Sequence, residues 1–209
     1  ANSVFSSESL YWYRGSNGDG WSCQEGSAST IKHGFLLRQD YPELGFDLTR
    51  YSGSMAGRWG RSPPPEKVQT EVKKHRIRSA TEINSIEAMR DFLFNHYGIG
   101  TCGSYWGNRR DENGVAGLKG GGGHAQALIA FDDRDEVKNK YGSPLCLMNN
   151  SWGDGWIQGG TTILGTNKKI PNGACWLKAT DVLKRFDLIG ISSTNGYPAR
   201  SWEDLLKTA

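Results

Sequence analysis

The sequence predicts an α+β fold in which helices come first and strands follow. Apolar residues recur at helical spacing over residues 22–39 and again over residues 85–96. From residue 99 to residue 192, short apolar runs are separated by glycine-rich turns, which is typical of strands in a sheet. Helices followed by a series of strands are the pattern of an α+β protein.

The N-terminal region is predicted to lead into the first helix through a loop. Residues 1–22 are polar, aromatic and interrupted by glycines, which predicts an extended arm ending in a loop. The helix then covers residues 22–39, and the pair Tyr41-Pro42 marks its end.

The stretch between the two predicted helices is irregular at first and then strand-like. The run Pro63-Pro64-Pro65 is the candidate boundary between two lobes. The alternation of Val68, Thr70 and Val72 predicts a strand, which the basic run 73–78 continues as a solvated edge rather than a binding patch.

The region after the second helix is predicted to supply the sheet. The predicted strands cover residues 99–102, 125–131, 145–149, 161–164, 174–177 and 188–192.

Composition excludes several classes of protein. The 209 residues are 36% hydrophobic and 22% charged, so neither a disordered nor a fibrous chain is expected. The formal net charge of +3 is too balanced to indicate a nucleic-acid partner. No apolar run is long enough to predict a membrane segment, and residues 1–7 lack the layout of a signal peptide. We therefore expect a soluble domain without nucleic-acid or membrane partners.

A glycine loop delivers Cys23 to the predicted start of the first helix. The loop is Asn17-Gly18-Asp19-Gly20-Trp21-Ser22-Cys23. A thiol at a helix N-terminus experiences the positive end of the helix dipole, which favours the thiolate. A small buried core residue is the alternative interpretation of a lone cysteine.

Two more polar residues stand at the ends of predicted strands. His124 follows four glycines and opens the apolar run 125–131. Asn150 follows the apolar run 145–149 and precedes Ser151-Trp152-Gly153. A strand end is a rigid position from which an imidazole can meet a group on another element, although a lone histidine there is more often structural.

In these segments the sequence resembles the papain-like cysteine peptidases, most closely their divergent bacterial and phage-type members. Three segments carry the resemblance: Asn150-Ser151-Trp152-Gly153 with the downstream pair Gly155-Trp156, then Gly123-His124-Ala125, and in part Gly20-Trp21-Ser22-Cys23. The order Cys, His, Asn is the family's order.

The resemblance implies a two-lobed papain-like fold with the active-site cleft between the lobes. A helical lobe would span about residues 1–65 and a mainly β lobe, with an antiparallel sheet or barrel, about residues 66–209, within one catalytic domain. The implied function is thiol-dependent hydrolysis of peptide bonds by an endopeptidase, without a metal or an organic cofactor. The implied partners are a polypeptide substrate and a pro-segment or protein inhibitor.

The resemblance also assigns roles to individual residues. Cys23 would be the nucleophile, His124 the general base and later the acid, and Asn150 the residue that orients the imidazole. The backbone N–H of Cys23 and the side-chain amide of Asn17 would form the oxyanion hole, Asn17 standing where the family has a glutamine. Trp152 would lie over the contact between His124 and Asn150 and exclude water from it.

The sequence departs from the family pattern near the nucleophile. Gln24 replaces an aromatic residue, Trp21 replaces a glycine, and Gly20 replaces a cysteine, so the family disulfide at that position cannot form. The missing disulfide favours an intracellular or virion-associated setting. The other cysteines are expected to be buried thiols rather than a disulfide framework: Cys102, Cys146 and Cys175.

Alternatives remain open for the nucleophile and for the function. Cys102 is the rival nucleophile, but it is predicted on a strand, without a helix N-terminus to activate it. A catalytically silent papain-like module that binds peptide, or serves as a structural or virion component, is the alternative function. The altered Asn17, Trp21 and Gln24 motivate it, whereas the filled triad favours an enzyme. A peptidoglycan amidase or transpeptidase would share the triad chemistry, but the Asn-Ser-Trp-Gly motif argues against it.

Overall fold

The computed structural model describes residues 6–16 and 20–192. These residues form two compact units. The first unit runs to Ala80 and includes Ser192, and the second runs from Thr81 to Ile191. The division at residue 80 lies beyond the triproline at which a lobe boundary was expected.

The first unit is mainly helical. Its helices are α1 (Ser7–Leu10), α2 (Cys23–Lys32), α3 (Gly53–Trp59) and α4 (Glu66–Val72), with short 3₁₀ turns at Tyr11–Tyr13 and Pro42–Leu44. The strands β1 (Asp40–Tyr41) and β2 (Phe46–Asp47) pair antiparallel. Since residues 7–13 are helical, the predicted extended arm is wrong there; residues 1–5 and 17–19 lie outside the described residues.

Helix α2 begins where the sequence predicts and ends earlier. The Ser22 hydroxyl oxygen accepts a hydrogen bond from the backbone N–H of Glu25 at 3.2 Å, and its hydroxyl donates to the Glu25 carboxylate at 2.9 Å. The helix stops before Gly34, whose φ of +91° is left-handed. A Cβ at Gly34 would collide with the carbonyl oxygen of Val72, so only glycine fits at this position.

The strand predicted from position 68 is wrong, because this segment is helix α4. Val68 and Val72 lie four residues apart, so they occupy one face of a helix as readily as one face of a strand. Both are buried in the core of the first unit together with Trp12, Leu36, Tyr41 and Leu48. The basic run 73–78 follows the helix in turns and coil and is not a strand.

The second unit contains a large antiparallel sheet. Its strands are β4 (Ile99–Arg110), β5 (Ala116–Asp132), β6 (Leu145–Asn149), β7 (Ala174–Lys178) and β8 (Asp187–Ser192). The sheet also includes the edge strand β3 (Ser79–Glu82), which spans the division between the units. The sheet order is β3-β8-β4-β5-β6-β7. Its helices are α5 (Ile86–Phe94), α6 (Asp135–Tyr141) and α7 (Ala179–Arg185).

Sequence and structure agree on most of this unit. The second predicted helix is α5, whose first turn is capped by Ser85 through a 3.0 Å bond from the backbone N–H of Ala88. Five of the predicted strands are present as β4 to β8. Strands β4 and β5 are longer than predicted, because glycines expected in turns, such as those at 120–123, lie within the strands. Residues 161–164 do not form a strand and make only an isolated bridge between Thr162 and Lys169.

No helix within the described residues is long and apolar enough to cross a membrane.

Candidate active site

His124 and Asn150 meet at one end of the sheet of the second unit. His124 lies on β5 opposite Gly103 of β4. Asn150 directly follows β6, whose last residue, Asn149, pairs with Ala127 of β5. This register places Nε2 of His124 2.8 Å from Oδ1 of Asn150. Two residues 26 positions apart in the sequence therefore form one hydrogen-bonded pair.

The hydrogen bonds of Asn150 define the tautomer of His124. The same Asn150 atom accepts a hydrogen bond from the backbone N–H of Ser151 at 2.7 Å, which identifies it as the amide oxygen. Since an amide oxygen only accepts, Nε2 of His124 must carry the proton of this bond. In the neutral ring Nδ1 is then unprotonated, so its lone pair can accept a proton.

The backbone around Asn150 fixes its position. Asn150 is 7% exposed, and its backbone N–H donates to the carbonyl oxygen of Gly173 at 3.0 Å. The indole N–H of Trp156 donates to the same carbonyl at 2.9 Å. Neither Gly173 nor the anchoring role of Trp156 was identified from the sequence, because the bonds join segments that are distant along the chain.

Trp152 stacks on the imidazole of His124. The ring centroids are 4.3 Å apart and the planes differ by 19°. Trp152 is itself 48% exposed, and Trp106 and Trp156 contact it edge-on at 5.2 and 5.7 Å. One face of the imidazole is therefore covered by an indole that two other tryptophans hold in place.

Trp106 is a supporting residue that sequence reasoning missed. Its indole lies against the backbone of Gly121, where any Cβ would overlap the ring. The run Gly120 to Gly123 was the available signal, since a strand without side chains lets a large ring approach its backbone.

Cys23 is the first residue of α2 in the first unit, as predicted. Its side chain is partly buried. Cys23 is disulfide-bonded in the structure, and so is Cys102. The expectation that Cys102 is a buried thiol is therefore wrong, and the thiolate expected at Cys23 refers to the reduced protein.

The other two cysteines are buried thiols, as predicted. Cys146 and Cys175 are free and fully buried. Burial raises the pKa of Cys146 far above its ordinary value and raises the pKa of Cys175 to about 12, although the nearby Arg110 opposes the rise at Cys175. Thiols that stay protonated at neutral pH are poor nucleophiles.

Among the residues singled out from the sequence, the structure brings together His124, Asn150 and Trp152. Cys23 belongs to the first unit. Asn17, the expected oxyanion-hole residue, lies outside the described residues.

Comparison with known proteins gives a match in structure and none in sequence. No family model matches the chain, and no curated protein matches it. Among solved structures, the chain is similar to xylellain, a cysteine protease from Xylella fastidiosa. The similarity has a TM-score of 0.57 at 13% identity and covers 90% of this chain and 69% of xylellain. The chain therefore has the α+β fold of a cysteine protease, which confirms the predicted papain-like fold class.

Proposed function

We propose that this protein is a papain-like cysteine peptidase in which Cys23, His124 and Asn150 form the catalytic triad. The observation that carries the proposal is the 2.8 Å bond between Nε2 of His124 and Oδ1 of Asn150. It leaves Nδ1 of His124 as the proton acceptor that a thiol nucleophile requires. The similarity in fold to a cysteine protease supports the same assignment.

The proposed reaction proceeds in two halves. Nδ1 of His124 takes the proton of Cys23, and the Cys23 sulfur forms a bond to the carbonyl carbon of the substrate. When the C–N bond breaks, the imidazolium returns the proton to the leaving amine. Water then attacks the thioester and loses a proton to His124. The second product leaves as a carboxylic acid, and the Cys23 sulfur becomes the leaving thiolate.

The proposed oxyanion hole uses backbone and side-chain donors near Cys23. N–H groups in the first turn of a helix have no intrahelical acceptor, which suits the N–H of Cys23 for this role. Asn17 is proposed as the second donor. Losing one such donor costs about 10²- to 10³-fold in kcat.

The proposal applies to the reduced protein. The Cys23 sulfur is disulfide-bonded in the structure and can attack a carbonyl only after a reductant has converted it to a thiol. Hydrolysis should therefore be assayed with and without a dithiol such as dithiothreitol, and we expect turnover only with it.

The experiment compares single variants on a library of fluorogenic peptides under reducing conditions. C23A and H124A should lose turnover while keeping the melting temperature of the parent protein. C102A is the matched cysteine control and should keep its turnover. An active C23A together with an inactive C102A would identify Cys102 as the nucleophile. If no peptide is hydrolysed by the fully reduced protein, the proposed function is wrong.

A catalytically silent peptide-binding module is the second candidate function. The oxidised state of Cys23 favours it, because a disulfide-bonded sulfur performs no acyl transfer. An epoxide that alkylates peptidase thiols, such as E-64, discriminates between the two. Peptide mapping should find it on Cys23 of the reduced protein if the triad is active and on no cysteine if the module is silent.

A further inference from the structure

A cavity in the first unit has the composition of a site for a carboxylate. It has a volume of about 390 Å³ and lies beside the 3₁₀ turn that starts at Tyr11 and beside helix α3. Its walls include Arg14 and the rings of Tyr11 and Tyr51. Much of the remaining lining is glycine: Gly20, Gly53 and Gly57. We call it the Arg14 cavity.

Among the described residues, Arg14 is the one charged residue that lines this cavity, and none of the described acidic residues forms an ion pair with it. Its guanidinium donates to the carbonyl oxygens of Gly20 at 3.0 Å and Ser16 at 3.3 Å. Both acceptors are neutral, so no described residue compensates the positive charge. A guanidinium has more N–H donors than these two bonds use, and its planar fork matches a carboxylate.

The guanidinium is held in position before any ligand arrives. Its Cζ lies 4.4 Å from the centroid of the Tyr11 ring. It also packs against Gly60, where a Cβ would overlap Nη2. Stacking on a ring and packing on a glycine reduce the rotamer freedom that an arginine loses when it binds an anion.

The cavity adjoins the segment that leads to the proposed nucleophile. Gly20 lines it and stands three residues before Cys23. Three residues of chain span at most about 11 Å, so the cavity wall at Gly20 lies within reach of a polypeptide bound at Cys23.

We propose that the Arg14 cavity is a specificity pocket that binds a carboxylate of the polypeptide substrate, with Arg14 as the recognising residue. The proposal rests on the peptidase function proposed above. The carboxylate comes either from an acidic side chain or from the C-terminus of the substrate, and the experiment distinguishes these sources.

The first arm measures cleavage of peptides that are blocked at both ends and carry Glu, Gln or Lys at one scanned position. The reduced parent protein should prefer Glu over Gln by about 10- to 100-fold at one position, the size of a hydrogen bond to a charged group. R14E should favour Lys at that position instead. R14Q removes the charge but keeps an amide donor for the loop carbonyls, and it should lose the preference without inverting it.

The second arm identifies the source of the carboxylate. Peptides with Gln at the scanned position are compared with an amidated and a free C-terminus. If Arg14 binds a terminal carboxylate, the preference follows the free C-terminus and disappears in R14Q. R58E is the control for R14E, because it reverses the charge of an exposed arginine on α3 outside the cavity lining. It should retain the preference of the parent.

The third arm separates this proposal from the proposed function. C23A cannot turn over substrate, so its binding of the fluorescently labelled Glu and Gln peptides is measured directly by anisotropy. Tighter binding of the Glu peptide, lost in C23A/R14Q, supports the cavity even if the parent hydrolyses nothing. An active parent whose preferences are unchanged in a folded R14Q would overturn the proposal and leave Arg14 as a tether of the loop.

Discussion

Oδ1 of Asn150 accepts the Nε2–H of His124 at 2.8 Å while also accepting the backbone N–H of Ser151 at 2.7 Å. Because only the amide oxygen can accept the N–H of Ser151, the second bond identifies this atom as the oxygen rather than the nitrogen. Nε2 of His124 must then carry the proton of the first bond. The proton of the imidazole is therefore assigned from a backbone group that takes no part in the proposed chemistry.

Removing the amide of Asn150 should lower activity without unfolding the protein. In N150A the imidazole loses the acceptor that fixes its orientation and tautomer, so we expect kcat/KM to fall by about 10²-fold. The matched control is N149A, which changes the neighbouring exposed asparagine and should behave as the parent. Equal kcat/KM for N150A and N149A would contradict the positioning role. Steady-state kinetics under reducing conditions provide the measurement.

The loss of activity on replacing Trp152 should depend on whether an aromatic ring still covers the imidazole of His124. W152F keeps an aromatic face on the imidazole, whereas W152A exposes it together with its bond to Asn150. Since an aromatic pair contributes about 0.5–1.5 kcal/mol, kcat/KM should fall by up to about tenfold in W152A and by less in W152F.

The control for Trp152 is I129A, which removes another exposed apolar side chain from the same unit. It should leave kcat/KM unchanged. A loss in W152F as large as that in W152A would mean that the indole acts through something other than its aromatic face.

The buried carboxylate of Glu8 should contribute to the stability of the first unit. Its side chain is inaccessible to solvent and contacts Arg38 at 2.8 Å and the backbone N–H of Ser52 at 2.8 Å. Burial raises the pKa of Glu8, but the hydrogen bonds from Arg38, Ser52 and Ser6 outweigh it and hold the pKa below its ordinary value of 4.5. We expect E8Q to lower the free energy of unfolding by about 2 kcal/mol at neutral pH.

The effect of E8Q should depend on pH in one direction. Because the pKa of Glu8 is lower in the folded state, its contribution is present above pH 4.5 and is lost as the pH falls through the lowered value. Urea unfolding at neutral and acidic pH should show the difference between E8Q and the parent shrinking in acid. E43Q, at an exposed carboxylate of the same unit, should show no such change, and a difference that grew in acid would be inconsistent with the lowered pKa.

Cys146 and Cys175 should resist alkylation in the native protein. Both are fully buried, and burial keeps both thiols protonated at neutral pH. After reduction, iodoacetamide should label Cys23 while these two remain unlabelled until guanidinium chloride unfolds the chain. Mass spectrometry of the peptides identifies the labelled residues. Labelling of Cys175 at the same rate as Cys23 would show that the second unit opens under native conditions.

The start of helix α2 can be predicted from local sequence, whereas its end cannot. Ser22 and Glu25 cap its start, and they are close enough in sequence to be recognised as a cap. Its end depends on Gly34, which passes against the carbonyl oxygen of Val72 on another helix. Because Val72 is far from Gly34 in the sequence, this contact could not be predicted, and the predicted helix extended to residue 39.

The segment from Val68 to Val72 shows a second kind of failure. Apolar residues at these spacings suit one face of a strand or one face of a helix. The structure selects the helix because both valines then pack into the same core as Leu36 and Tyr41. Propensity over so short a run is weaker than burial, and burial is known only after the partners are in place.

The sequence by itself determined the α+β class and the start of α2 at Cys23, because each depends on a pattern within a few neighbouring residues. It pointed to His124, Asn150 and Trp152 as candidate site residues only through the resemblance of their segments to a known family. The tertiary structure decided the His124 tautomer, the stack of Trp152, the burial of Glu8 against Arg38 and the oxidised state of Cys23. Most of these depend on distances between residues that are far apart in the chain. Such distances are set by strand register and core packing, which a linear pattern of residue types does not contain.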